Sequence, residues 1–467
     1  MVDETVIYAS GTELIERYRK RELSPVEVTK EILTRIDRFN PAINAFTTVT
    51  HDLALEHAKR AEEAYRRGDA GPLSGVPVSI KDLTPTKGIR TARGSLLSAD
   101  WIPEEDAPVV ERLYAAGVVM LGKTNTPELG WKGDSGNRVF GPTYNPWHRE
   151  RTAGGSSGGA AAAVATGMGP LAQGSDGAGS IRIPAAFCGI FGHKQSFGLV
   201  PQYPSSAVGD LSHLGPMTRT VADAALMLNV MSGADARDRL SWTSGIDYLH
   251  GLDGGVAGLR IAWSSDLGYA EVAPAVAERT AAAVRVFADL GAEVVSADPG
   301  LASPKWIIDA MWSTAMAGYF AGRLEEVGPL LDPGLLRVVQ EAGRFSGADM
   351  GRAMQERNTY YAGMRAFMEQ YDLLVTPTMP ATAFRAGDDA PEASRREGVA
   401  PLDWTPFTYP FNLTGQPAAT VPCGFDEEGL PVGLQIVGRW RDDSTVLRAA
   451  AAFERAMPWR ELTPPVE

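Results

Sequence analysis

Apolar positions recur along this chain in two rhythms, one helical and one of short buried runs. Ser24-Pro25-Val26-Glu27 has the form of an N-cap followed by proline at the first helical position, and Val28, Ile32, Leu33 and Ile36 then fall on one face. A second helix is predicted over His51–Arg67, stopped by Gly68. Helices are also predicted over 158–166, which is alanine-rich, and over 220–231, 274–290 and 444–455. Short apolar runs at 76–80, 118–121, 259–263, 293–295, 373–375, 418–421 and 432–437 read as buried strands. The stretch 259–295 is strand, helix, strand, which implies a parallel or mixed sheet covered by helices. The stripe Trp312, Met316, Tyr319 and Phe320 has helical spacing and reads as core, or as the wall of an acyl pocket. The polar stretch 387–398 reads as an exposed loop. No repeat or low-complexity linker divides the chain, so one α/β domain over 1–467 is expected.

Composition narrows the partners. The chain has 467 residues, 44% of them apolar and 22% charged, which is ordinary for a globular protein. Asp and Glu outnumber Lys and Arg by 57 to 44, giving a net charge of −13. That excess repels polyanions, and no basic run marks a nucleic-acid surface. Cys188 and Cys423 are too few for a cysteine zinc site or a disulfide framework. The segment 1–21 is charged and lacks the apolar centre of a secretory leader, so a reducing, cytoplasmic setting is expected. No run of 18 apolar residues offers a membrane span. The six histidines have no metal-ligand spacing, and His213 reads as a loop histidine rather than a substrate contact. Gly117 to Thr124 satisfies the Walker A expression, but its four middle residues are apolar, so a strand lies inside the motif and nucleotide binding is rejected.

Three segments carry candidate chemistry. Gly154-Gly155-Ser156-Ser157-Gly158-Gly159 precedes the alanine-rich helix. Gly174-Ser175-Asp176-Gly177-Ala178-Gly179-Ser180-Ile181-Arg182-Ile183-Pro184 follows it. Glycines let backbone N–H groups approach a ligand closely, which suits an oxyanion hole beside a serine nucleophile. In Val78-Ser79-Ile80-Lys81-Asp82 a lysine closes an apolar strand, where its charge is costly to bury. Alone, each has a plain structural reading: two flexible loops and a lysine reaching for solvent.

Together these segments resemble the amidase signature family. The likeness extends through Gly122-Lys123-Thr124-Asn125-Thr126-Pro127-Glu128, Gly141-Pro142-Thr143-Tyr144-Asn145-Pro146-Trp147, Gly415-Gln416-Pro417-Ala418 and Gly429-Leu430-Pro431-Val432-Gly433-Leu434-Gln435. It implies the amidase signature fold, a mixed twisted β-sheet sandwiched between layers of α-helices. It makes Ser180 the nucleophile, Lys81 the general base and Ser156, after a cis Gly155–Ser156 bond, the relay between them. The N–H groups of Gly177, Ala178, Gly179 and Ser180 would form the oxyanion hole. Ser157 would hydrogen-bond within the relay, and Asp176 and Arg182 would hold the nucleophile loop. Asn125 and Asn145 are expected to brace loops. Ala178 and Gln195 stand where the family has glycine and proline.

The expected function is hydrolysis of a small carboxamide, aryl amide or cyclic amide through an acyl-enzyme, with no cofactor and no metal. The expected partner is a small-molecule amide, not nucleic acid or membrane; a homodimer is left open. Two alternatives stand beside it: the glutaminase-type subunit of a tRNA-dependent amidotransferase, and an inactive binding protein on the same fold. Lysine as base requires a lowered pKa, since an ordinary lysine, near ~10.4, is charged at neutral pH.

Overall fold

The computed structural model describes residues 4–394 and 402–465. Among them the strands are β1 (Phe46–Val49), β2 (Pro77–Lys81), β3 (Val119–Thr124), β4 (Leu171–Asp176), β5 (Phe191–Lys194), β6 (His213–Thr218), β7 (Arg260–Trp263), β8 (Glu293–Ser296), β9 (Leu373–Pro377), β10 (Ala418–Phe425) and β11 (Pro431–Gly438). They form one sheet in the order β1-β3-β2-β4-β6-β5-β10-β11-β9-β7-β8. The sheet is mixed: β3, β2 and β4 are parallel neighbours, β7 is parallel to β8 and β9, and the remaining pairs are antiparallel. The strand–helix–strand unit read from 259–295 is therefore present, with β7 and β8 joined through the helix Pro274–Asp289.

Strand alternation sorts side chains to two faces. Met120 of β3 joins a core with Val78, Ile80, Leu434 and Ile436, covered by the helices Val221–Met231, Pro274–Asp289 and Asp443–Ala456. Its neighbours Val119 and Leu121 join a second core, with the helices Pro25–Ile43 and Gly158–Ala165. On Ala418 and Val437 lies a third core, built by Lys305–Tyr319, Pro333–Glu341 and Gly347–Met368. Helices on both faces of a mixed sheet are the expected fold class.

Local rules place many boundaries. Ser24 Oγ accepts from Val26 N at 3.1 Å, and the helix Pro25–Ile43 begins there. The helix His51–Arg67 ends where Gly68 takes φ +80°. In the stripe of helical spacing, Trp312 and Met316 are buried, whereas Tyr319 is 47% exposed.

Three expectations change. Strands β4, β5 and β6 carry no clear apolar pattern, yet each is buried along its whole length. Their polar side chains find partners instead: Gln173 Oε1 accepts from Thr84 Oγ1 at 3.0 Å. Consequently Gly174, Ser175 and Asp176 finish a strand rather than open a loop. His213 begins β6 and is 1% exposed, so it is not a surface-loop residue. The stretch 387–398 falls partly outside the described residues. Its described portion is tied to the body of the protein, where Asp389 accepts from Lys132 Nζ at 2.9 Å.

Candidate active site

The sheet register assembles the site. β2 runs parallel to β4 with Ile80 opposite Gln173, so Lys81 lies beside the end of β4. Lys81 is fully buried, and its Nζ lies 2.6 Å from Ser156 Oγ, 2.8 Å from Ser157 Oγ and 2.9 Å from Ser175 Oγ. The lysine does not reach solvent, so its plain structural reading fails. Burial holds its pKa well below the usual lysine value, and the charge of Asp176 only partly opposes this.

That geometry has a chemical consequence. An ammonium has three donors and would satisfy all three hydroxyls. A neutral amine has two N–H bonds and one lone pair, so one hydroxyl must instead donate to Nζ. Ser156, at 2.6 Å, is the closest.

The serine loops are fixed by backbone contacts. Ser157 precedes the helix Gly158–Ala165, and its N–H donates to Ser180 O at 3.2 Å, tying the two glycine–serine segments together. Ser157 Oγ also donates to Ser175 O at 3.1 Å. The Gly155–Ser156 peptide is cis. Ser135 Oγ donates to Gly154 O at 2.9 Å and accepts from Gly158 N at 2.8 Å, bracing both ends of this loop.

Ser180 sits between the end of β4 and the helix Arg182–Cys188. It is 7% exposed. Among the described residues its hydroxyl makes no hydrogen bond, so the link from Ser180 to Ser156 that the relay needs is not formed in this structure. The loop is shaped by Asp176, whose Oδ1 accepts from Gly179 N at 2.7 Å and whose Oδ2 accepts from Ile181 N at 3.2 Å. Gly179 thus departs from the expected four-donor oxyanion hole. Its N–H is already taken, and among the described residues Gly177, Ala178 and Ser180 keep theirs free of protein partners. Gly179 cannot be replaced easily: at φ +129° a Cβ would lie 2.5 Å from Thr408 Oγ1.

Arg182 holds Asp176 in place. All five guanidinium N–H groups are matched: Nε and Nη2 to Asp176 at 2.9 and 3.0 Å, Nη1 to Thr408 O and Gln435 Oε1 at 2.9 and 2.8 Å, and Nη2 to Asn412 Oδ1 at 2.6 Å. The adjacent guanidinium keeps the Asp176 carboxyl well below the usual carboxylate range despite its burial. Asn125 and Asn145 brace loops, donating to Thr143 Oγ1 at 3.0 Å and Phe187 O at 2.9 Å. Gln195 is buried, and neither side-chain polar atom has a partner among the described residues. His213 lies behind the loop, its Nδ1 within 2.9 Å of Leu211 O, and burial keeps it neutral.

Sequence reasoning missed Ser175 as a partner of Lys81, although the residue lies within the Gly174–Pro184 segment. It also missed Thr408, Asn412 and Gln435 as partners of Arg182, which they meet from more than 200 positions away; Gln435 closes the 429–435 motif, but nothing in that motif links it to Arg182. Among the described residues no three His, Cys, Asp or Glu side chains converge as metal ligands, and no helix is long and apolar enough to cross a membrane.

Comparison with known proteins identifies the family. The Amidase family model matches residues 27–447. An acylamidase of Rhodococcus erythropolis is 42% identical, over 99% of this chain and 98% of its own. A glutamyl-tRNA(Gln) amidotransferase chain of Moorella thermoacetica is 36% identical, over 98% of both chains. The crystal structure of a bacterial aryl acylamidase superposes with a TM-score of 0.89 at 32% identity, over 97% of each chain. The chain belongs to the amidase signature family.

Proposed function

We propose that this protein hydrolyses a small carboxamide, aryl amide or cyclic amide to a carboxylate and ammonia or an amine, through an acyl-enzyme on Ser180. The observation that carries this is the fully buried Lys81, its pKa held well below the usual lysine value by burial and its Nζ 2.6 Å from Ser156 Oγ. Neutral Lys81 takes a proton from Ser156 as Ser156 takes one from Ser180. This relay requires the Ser180 hydroxyl to donate to Ser156 Oγ when substrate is bound. The free N–H groups of Gly177, Ala178 and Ser180 receive the carbonyl oxygen as it gains charge. Asp176 and Arg182 keep those donors aligned, and Ser157 and Ser175 position the amine of Lys81. The relay then runs backwards to protonate the leaving nitrogen, and water releases the acyl group. The acylamidase and aryl acylamidase relatives favour an acyl amide or anilide as substrate.

The test is a fluorophosphonate probe together with an acyl anilide panel. Ser180 is expected to be labelled, and Ser180→Ala to lose labelling and turnover with its melting temperature retained. A folded protein that neither labels nor turns over any amide would instead be a binding protein on this fold. The 36% identity to a glutamyl-tRNA(Gln) amidotransferase chain supports a second reading, in which this protein is the glutaminase-type component of a larger enzyme. Anilide turnover by the purified chain without added partners favours the free-standing hydrolase.

A further inference from the structure

Next to the Lys81 cluster lies a cavity of about 190 Å³, walled by Leu83, Pro85, Leu129, Ala207 and Tyr319, with Ser175 and Arg93 also on its surface. Ser175 is the hydroxyl that Lys81 contacts at 2.9 Å, so the cavity adjoins the proton relay. Arg93 is its one cationic lining residue among those described, and no aspartate or glutamate faces it.

Arg93 is built into place yet left without a counter-charge. Its N–H donates to Asp82 O at 3.1 Å, and its carbonyl accepts from Leu129 N at 2.9 Å. The next residue, Gly130, packs on the relay serine: a Cβ there would lie 3.1 Å from Ser156 Oγ. Arg93 takes φ +55°, a region that non-glycine residues rarely adopt. Its guanidinium carbon lies 4.1 Å from the centre of the Trp101 ring. Stacking on one face leaves the in-plane donors free. Among the described residues the guanidinium forms no ion pair, and its Nε is buried without a hydrogen-bond partner. Arg182, beside the same site, has all five of its donors matched.

The position of the cavity decides which half of the substrate it receives. Lys81 and Ser156 return a proton to the departing nitrogen, so the amine half lies on their side of the scissile bond. Trp312 and Val208 close over Gly177, where a Cβ would lie 3.1 Å from each.

We infer that Arg93 binds a carboxylate on the leaving amine, making carboxylate-bearing amines, such as amino acids or aminobenzoates, the preferred leaving groups. This inference rests on the amide-hydrolase reading above. A planar guanidinium with free in-plane donors matches a carboxylate in two parallel hydrogen bonds. An amide with a neutral amine half would leave the terminal donors of the half-buried Arg93 to water.

The test compares 4-acetamidobenzoate with acetanilide, which differ in the carboxylate. Wild-type enzyme is expected to favour the former in kcat/KM by about tenfold or more, the scale of a hydrogen bond to a charged group. Arg93→Asn, chosen because asparagine tolerates the left-handed backbone, should bring that ratio close to one, mainly through KM. Arg93→Lys should keep part of the preference. Equal losses on both substrates, or no preference in the wild type, would overturn the inference. Calorimetry with 4-aminobenzoate and aniline reads the site without turnover. Binding of 4-aminobenzoate that vanishes in Arg93→Asn supports the site even if neither amide is hydrolysed; no binding to the wild type refutes it even if hydrolysis proceeds.

Discussion

Replacing Arg182 by methionine tests whether the loop that carries Ser180 is held electrostatically. The side chain is fully buried and donates five hydrogen bonds, two of them to Asp176. Methionine fills much of the volume but supplies no donor. Asp176 is also fully buried, so the variant strands a carboxylate that has lost its counter-charge. Breaking a buried pair from one side costs about 3–5 kcal/mol. At an unfolding entropy of roughly 2.1 cal/mol/K per residue, 467 residues give about 1 kcal/mol per degree, so melting should fall by about 3–5 °C. Thermal unfolding followed by circular dichroism measures this. Because Asp176 also orients Gly179 and Ile181 N–H groups, anilide kcat/KM should fall further than stability alone explains. The double variant Arg182→Met/Asp176→Asn removes the stranded charge and should recover part of the melting temperature. A single variant melting within a degree of the wild type, or a double variant no more stable than the single, would refute the electrostatic account.

Two further predictions follow from buried titrating groups. Lys81→Met should lower kcat/KM at neutral pH by about 10²–10⁴-fold, the usual contribution of a general base. In the wild type, kcat/KM should rise with pH through a lysine pKa held well below the usual value, and fall away as pH drops and Lys81 protonates; an unchanged rate in the variant would remove lysine from the mechanism. Glu454 has its pKa pushed up from 4.5 to about 7, chiefly by burial, while its carboxylate accepts from Val221 N at 3.0 Å. With the folded value the higher one, the folded state holds the proton more tightly, so stability is full below about pH 4.5 and declines as pH rises toward 7. Glu454→Gln should therefore raise the melting temperature at pH 8 relative to the wild type but not at pH 4, and parallel curves for the two proteins would contradict that linkage.

Much of the fold was legible where a local rule decides. Ser24 and Gly68 mark helix ends because their cap geometries are set by one or two residues. Strands β7, β8 and β9 were visible as short apolar runs. Strands β4 to β6 were not, because a strand buried on both faces can carry Gln173, His213 or Lys194 once neighbouring strands and loops supply partners. The Lys123 of the false Walker motif is buried in β3, where it donates to Thr86 Oγ1 at 2.8 Å, so the regular expression described a strand.

For the candidate site, the sequence by itself determined which residues are present and in what order: Lys81 at the end of an apolar run, Ser156 and Ser180 in glycine-rich segments separated by a helix. Those facts depend on neighbours in the chain. Only the tertiary structure decided that Lys81 is buried rather than solvated, because that depends on parallel pairing of β2 with β4, more than 90 residues further on. It alone showed that Asp176 takes the Gly179 N–H, and that Thr408, Asn412 and Gln435 complete the donors of Arg182. Burial and hydrogen-bond satisfaction are sums over residues remote in sequence, and they are what hold the pKa of a lysine at a strand end well below its usual value.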